Sequence, residues 1–97
     1  MVPLRCDSPI KIGRDETNNL PIKSMLVSRF HAIIEISPVG VTIRDLQSTN
    51  GTFVNGEKLE TSVTLTTDAT LQVGDLNMKV EILPRAIENL RLLEADE

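Results

Sequence analysis

The extended segments of this chain are short, and each is closed by residues that turn a backbone. Leu4–Cys6 is a first short stretch, ended by Asp7, Ser8 and Pro9. Ile10-Lys11-Ile12 alternates and stops at Gly13, and Leu20-Pro21-Ile22 is a brief piece that Pro21 confines to an edge or a bulge. Ala32–Ser37 is rich in branched side chains, Pro38-Val39-Gly40 is turn material, and Val41–Asp45 alternates with Val41, Ile43 and Asp45 on one side. These two runs predict an antiparallel hairpin. Thr52–Val54 and Glu57–Leu59 flank Asn55-Gly56, a dipeptide suited to the tightest hairpin turns. Val63–Leu71 is threonine-rich and fits no single pattern, Leu71–Val73 resumes a strand, and Leu76–Leu83 alternates a dry and a wet face across the Gly74-Asp75 turn. Many short strands with frequent turns predict an all-β chain, an antiparallel sandwich or small barrel.

After Pro84 the spacing changes. Ile87, Leu90 and Leu93 recur at helical intervals, and Pro84 suits the first helical position. The expectation is one domain over residues 1–83 and an amphipathic helix over 84–97. That helix packs on its own sandwich, frays, or supports self-association with a second chain.

Composition narrows the functions. The chain has 97 residues, which fits one domain with a thin core. Its single cysteine, Cys6, makes no internal disulfide and fits a reducing, intracellular setting, nuclear or cytoplasmic. No signal-peptide pattern opens the sequence, and no apolar run reaches the ~20 residues of a bilayer span. A net charge of −4 and two aromatic residues, Phe30 and Phe53, argue against direct nucleic-acid binding. Both phenylalanines are expected in the core. Asp7, Asp15, Glu16 and Asp75 form no paired-carboxylate pattern and read as solvated loop acids. His31 has no cysteine, acid or second histidine at metal spacing, and no Ser–His–acid set is evident. No enzyme, metal or cofactor is expected.

Polar donors gather in three loop segments: Gly13-Arg14, Ser28-Arg29-Phe30-His31, and Ser48-Thr49-Asn50-Gly51-Thr52. If a sandwich brings them to one end, they supply two guanidinium groups, several hydroxyls and an amide. Such a set suits an oxyanion with several acceptor oxygens, such as a phosphate ester.

Ile12-Gly13-Arg14, Ser28-Arg29-Phe30-His31 and Asn50-Gly51-Thr52-Phe53-Val54-Asn55-Gly56, in this order and with a strand between the second and third, resemble the forkhead-associated (FHA) domain over roughly residues 4–83. The resemblance implies a non-enzymatic module that binds phosphothreonine peptides through loops at one end of a sandwich of about eleven strands. Arg14 matches the arginine that clamps the phosphate, and Ser28 the serine that donates to it. Arg29 matches a position that often assists. Thr49 matches a phosphate-side or loop-ordering position, and Asn50 the asparagine that holds the peptide backbone. His31 matches a brace of the loops, alongside Gly13, Gly51, Asn55 and Gly56. Leu26, with Met25, matches the position that reads the third residue after the phosphothreonine, here with an apolar or weak preference. Only Met1–Ile12 precede Gly13-Arg14, so the first strand is expected to be short or absent. A structural or oligomerising β-domain with an unused phosphate site is the alternative.

Overall fold

The computed structural model describes residues 2–3, 9–37, 40–82 and 90–94. Its strands are β1 (Val2–Pro3), β2 (Ile10–Gly13), β3 (Leu20–Pro21), β4 (Ala32–Ser37), β5 (Gly40–Asp45), β6 (Thr52–Val54), β7 (Glu57–Lys58), β8 (Ser62–Leu65), β9 (Ala69–Val73), β10 (Leu76–Ile82) and β11 (Leu90–Glu94). They form two sheets, ordered β1-β11-β10-β9-β6-β7 and β3-β2-β4-β5-β8.

The expected hairpin is β4–β5, in register from Ala32↔Asp45 to Ser37↔Gly40. Its alternation puts Ala32, Ile34, Ile36, Val41 and Ile43 inside. Across from them lie Val54, Leu71, Val73, Met78 and Val80 of the other sheet, all buried in the same cluster. Branched residues on facing sheets thus build a core without aromatic rings. Asn55 and Gly56 both have positive φ, as a two-residue type I′ turn requires, and join β6 to β7. The ambiguous threonine-rich stretch divides into β8 and the start of β9. Among the described strands every pairing is antiparallel except that of β2 and β3, which pair in parallel through Ile12↔Leu20 and Gly13↔Pro21. Pro21 sits on that edge strand, where its missing N–H costs no ladder bond.

Two expectations are corrected. No helix occurs among the described residues, and Leu90–Glu94 of the expected helix is strand β11. It pairs antiparallel with β10 from Met78↔Glu94 to Ile82↔Leu90, and with β1 at Val2↔Leu92. The spacing of Leu90 and Leu92 suits a strand as well as Leu90 and Leu93 suit a helix, and the open edge of β10 decides between them by supplying main-chain partners. The rest of the expected helix, and the expected strand Leu4–Cys6 with Cys6, lie outside the described residues. Phe30 is the second correction. It is 49% exposed, because it lies in the loop before β4 and His31, fully buried, takes the interior place next to it. Phe53 is half-buried.

Candidate anion-binding site

The strand order carries four connections to one end of the sandwich: residues 14–19 after β2, 22–31 before β4, 46–51 between β5 and β6, and the Gly74-Asp75 turn between β9 and β10. Main-chain bonds sew the first two together. Arg14 N donates to Ser28 O at 2.9 Å, Asp15 N to Arg29 O at 3.2 Å, and His31 N to Ile12 O at 2.9 Å. Gly13 permits this approach, since a Cβ there would lie 2.1 Å from Arg29 O.

Arg14 is held by its Nε–H, which donates to Val27 O at 3.1 Å. That bond fixes the guanidinium at the main chain just before Ser28, and no protein partner for its Nη groups occurs among the described residues. The Ser28 hydroxyl accepts the Thr49 main-chain N–H at 3.0 Å. Its own proton is therefore available to donate outward. Asn50 Nδ2 donates to Leu26 O at 2.9 Å. Its Oδ1 and second N–H remain for a ligand, and they match the acceptor–donor pattern of a peptide backbone. Arg29, Thr49 and Asn50 are exposed, and Arg14 and Ser28 half-buried. The Arg14 guanidinium, the Ser28 hydroxyl and the Asn50 amide are thus brought to one end and hydrogen-bonded into position, while the Arg29 side chain is exposed beside them.

His31 lies behind them. Its Nδ1 accepts Ser28 N–H at 3.0 Å, and its Nε2 is 2.8 Å from Gly51 O. Because one partner only donates and the other only accepts, the ring is the neutral Nε2–H tautomer. Gly51, at φ 89, turns the chain back into β6.

Met25 and Leu26 are 83% and 50% exposed beside Asn50's anchor. The Gly74-Asp75 turn supports them from below: Ser24 Oγ donates to Asp75 at 2.7 Å, and a Cβ at Gly74 would lie 2.6 Å from Leu26 O. Asn55 and Gly56 are not part of this cluster. They sit at the other end of β6, where Asn55 N donates to Thr70 O at 2.8 Å and Thr70 N to Asn55 Oδ1 at 3.0 Å.

Sequence reasoning missed two residues. Asn18, 6% exposed, donates through Nδ2 to Asp15 O and to Arg29 O, both at 2.8 Å, and so ties the arginine loop to the serine loop. Asp45 accepts Ser48 Oγ at 2.5 Å, Thr52 Oγ1 at 2.7 Å and Ser48 N at 3.3 Å. Burial pushes the Asp45 carboxyl up, but these donors outweigh it and hold the group below its ordinary value. Its place at the inward-facing end of an alternating strand was the available signal. The Thr17 hydroxyl and N–H, with a smaller pull from Arg29, keep the surface Asp15 carboxyl low as well. Among the described residues no cluster of three or more metal-ligating side chains occurs, and no helix is long and apolar enough to cross a membrane.

The sequence profile described as FHA domain matches residues 10–74. The chain is 39% identical over 83 residues to the ABC transporter ATP-binding/permease protein Rv1747 of Mycobacterium tuberculosis, covering 84% of this chain and 10% of that protein. It is similar in structure to EmbR of Mycobacterium tuberculosis, solved in complex with a low affinity phosphopeptide: TM-score 0.69, 26% identity, over 92% of this chain and 21% of that one. A solved structure described under phosphothreonine-dependent FHA domain interactions matches with TM-score 0.73 and 27% identity over 79% of each chain. The chain therefore spans only a small part of the transporter and the regulator it resembles.

Proposed function

The chain belongs to the FHA domain family, and from that premise we propose that it is a phosphothreonine-dependent binding module that recruits phosphorylated proteins. The observation that carries this reading is the Ser28 hydroxyl, which accepts from Thr49 N–H and so keeps its own proton to donate, next to the Val27 carbonyl that holds the Arg14 guanidinium. A phosphate monoester brings about −1.5 to −2 charge and three acceptor oxygens to such a pair. Arg14 takes the phosphate through its Nη groups, Ser28 donates to it, and Arg29 and Thr49 assist from the exposed rim. Asn50 holds the peptide main chain. Gly13, His31 and Gly51 keep the three loops together, and Met25 with Leu26 offers an apolar contact to the residue three after the phosphothreonine. The net charge of −4 is no obstacle, because the donors act locally.

We assign it no reaction. The His31 Nδ1 lone pair is used by Ser28 N–H, and its Nε2 proton points to Gly51 O. The ring has no site left to take the Ser28 hydroxyl proton, so a serine nucleophile has no base. The preference for phosphothreonine over phosphoserine rests on the family resemblance. The single cysteine in the sequence supports an intracellular setting.

The test is a titration of wild type and Arg14→Ala with a library of phosphothreonine, phosphoserine and unphosphorylated peptides. The expected result is binding that requires phosphothreonine and weakens at least about tenfold in Arg14→Ala, as for loss of a charge-assisted bond. A folded wild type that binds no phosphopeptide overturns the reading.

A further inference from the structure

From the hydrogen bonds behind the site we infer that Asp45 is a positioning residue for phosphopeptide binding, acting on Ser28 through a one-way hydrogen-bond chain that runs by way of His31, Gly51 and Ser48. The inference rests on the binding function proposed above and adds a residue that touches no ligand.

The chain can be followed donor by donor. Ser28 N–H donates to His31 Nδ1 at 3.0 Å, and His31 Nε2–H donates to Gly51 O at 2.8 Å. Gly51 N–H donates to Ser48 Oγ at 3.0 Å, and the Ser48 hydroxyl donates to Asp45 Oδ1 at 2.5 Å. Every proton points from Ser28 toward the carboxylate. Aligned bonds of this kind polarise one another, and a charged acceptor at the end strengthens the nearest link most.

Asp45 is also the best-fixed member. It closes β5, pairing with Ala32, and its own N–H donates to Thr61 O at 2.9 Å. Its carboxylate further accepts Thr52 Oγ1 at 2.7 Å, and Thr52 is fully buried at the start of β6. The loop between β5 and β6 is thus gripped at both ends by one anion, although it turns through Gln47 at φ 59 and Gly51 at φ 89. That loop presents Thr49 N–H to Ser28 Oγ. A neutral amide cannot replace the carboxylate. With its oxygen on Ser48 Oγ and Thr52 Oγ1, an asparagine would turn its own N–H groups toward Ser48 N–H, donor against donor.

The experiment uses the 97-residue chain and four variants: Asp45→Asn, Ser48→Ala, Ser28→Ala, and Asp45→Asn with Ser28→Ala. Peptide affinity is measured at a temperature where thermal melts show every variant folded, and amide exchange is followed by NMR in the peptide-free chain. The expected result is five- to twentyfold weaker binding in Asp45→Asn. Exchange at the Ser28 and Gly51 amides should be at least tenfold faster there, with the core amides of β9 unchanged. In the Ser28→Ala background the same Asp45→Asn change should cost threefold or less, which a merely structural role would not produce. Ser48→Ala breaks the chain in its middle while leaving the Asp45–Thr52 bond, and should reproduce the exchange and affinity changes if Asp45→Asn fails to fold. Unchanged Ser28 and Gly51 exchange in the folded variants overturns the inference even if no peptide binds. Wild-type phosphopeptide binding with equal affinity in folded Asp45→Asn and Ser48→Ala overturns it while leaving the binding function standing.

Discussion

The Thr49 main-chain N–H donates to the Ser28 hydroxyl oxygen at 3.0 Å. One bond joins the loop that enters the β4–β5 hairpin to the loop that leaves it, and it does so at the atom proposed to meet the phosphate. Ser28 therefore has two jobs, one lone pair bracing its neighbour and one proton facing the ligand. Ser28→Ala removes both. The expected loss is about 10–100-fold in phosphopeptide affinity, from ~1.5–3 kcal/mol for a hydrogen bond to a charged partner. The fold should survive, since Ser28 is only half-buried. Calorimetric titration beside a thermal melt measures the two effects separately.

Two glycines should separate stability from binding. A Cβ at Gly13 would lie 2.1 Å from Arg29 O and 2.9 Å from Asn18 Nδ2, so Gly13→Ala must push the arginine and serine loops apart. It should cost about 1–3 kcal/mol, as overpacking does, and weaken phosphopeptide binding as well. At Gly56 nothing lies within 4 Å, but φ is +84. Gly56→Ala should cost about 1–2 kcal/mol of backbone strain and leave affinity unchanged, because the turn is at the far end of β6. Denaturant melts and peptide titration of both variants check the contrast.

These contrasts show what was readable in the residues and what was not. Ile34, Ile36, Val41 and Ile43 announce their inward face by simple alternation, so the hairpin that carries two of the loops was legible. Arg14, Ser28 and Asn50 were legible as a set because each lies in a polar segment at a strand end, Arg14 after β2, Ser28 before β4 and Asn50 before β6, and because their three motifs in order resemble the FHA domain. Asp45 was visible only as the end of a strand, since its value depends on Ser48 and Thr52 folding back onto it around Gln47. Asn18 was hidden for the same reason: its partner Arg29 O belongs to another loop. Phe30 misled because hydrophobicity says nothing about which of two adjacent residues, Phe30 or His31, turns inward. Leu90–Glu94 misled because five residues with leucines at both two- and three-residue spacings fit either structure, and the neighbouring edge of β10 decides.

The Asp45 carboxyl sets a pH dependence. Burial opposes its ionisation, but its bonds from Ser48 and Thr52 prevail, so its folded pKa lies below the unfolded one. A lowered folded value means the contribution to stability is fully present above the unfolded carboxylate pKa of about 3.9 and fades as pH falls through the folded value. The Asp45 contribution should therefore be constant with pH around neutrality, and stability should fall in acid below about pH 4. Asp45→Asn should be less stable than wild type at pH 7, and the gap should narrow toward pH 3. Urea melts across that range measure the difference. A gap that stays constant with pH would mean the Asp45 charge contributes nothing.

Asn50 distinguishes a ligand contact from a loop former. Its Nδ2 donates to Leu26 O at 2.9 Å, so part of its amide is already committed to holding the 46–51 loop against the loop before β4. Asn50→Ala removes that tie and the free amide edge together, and should weaken phosphopeptide binding about tenfold, the value of one to two hydrogen bonds. Asn50→Asp keeps the shape but reverses the chemistry. A carboxylate cannot donate to Leu26 O, and it sets a negative charge beside an incoming phosphate. Like charges at this range repel, so Asn50→Asp should bind more weakly than Asn50→Ala, and added salt should narrow the difference by screening. Titrations of the three proteins at low and high salt check the order. If Asn50→Asp binds as well as wild type, the Asn50 amide is neither donating to Leu26 nor facing the ligand, and its place in the proposed site fails.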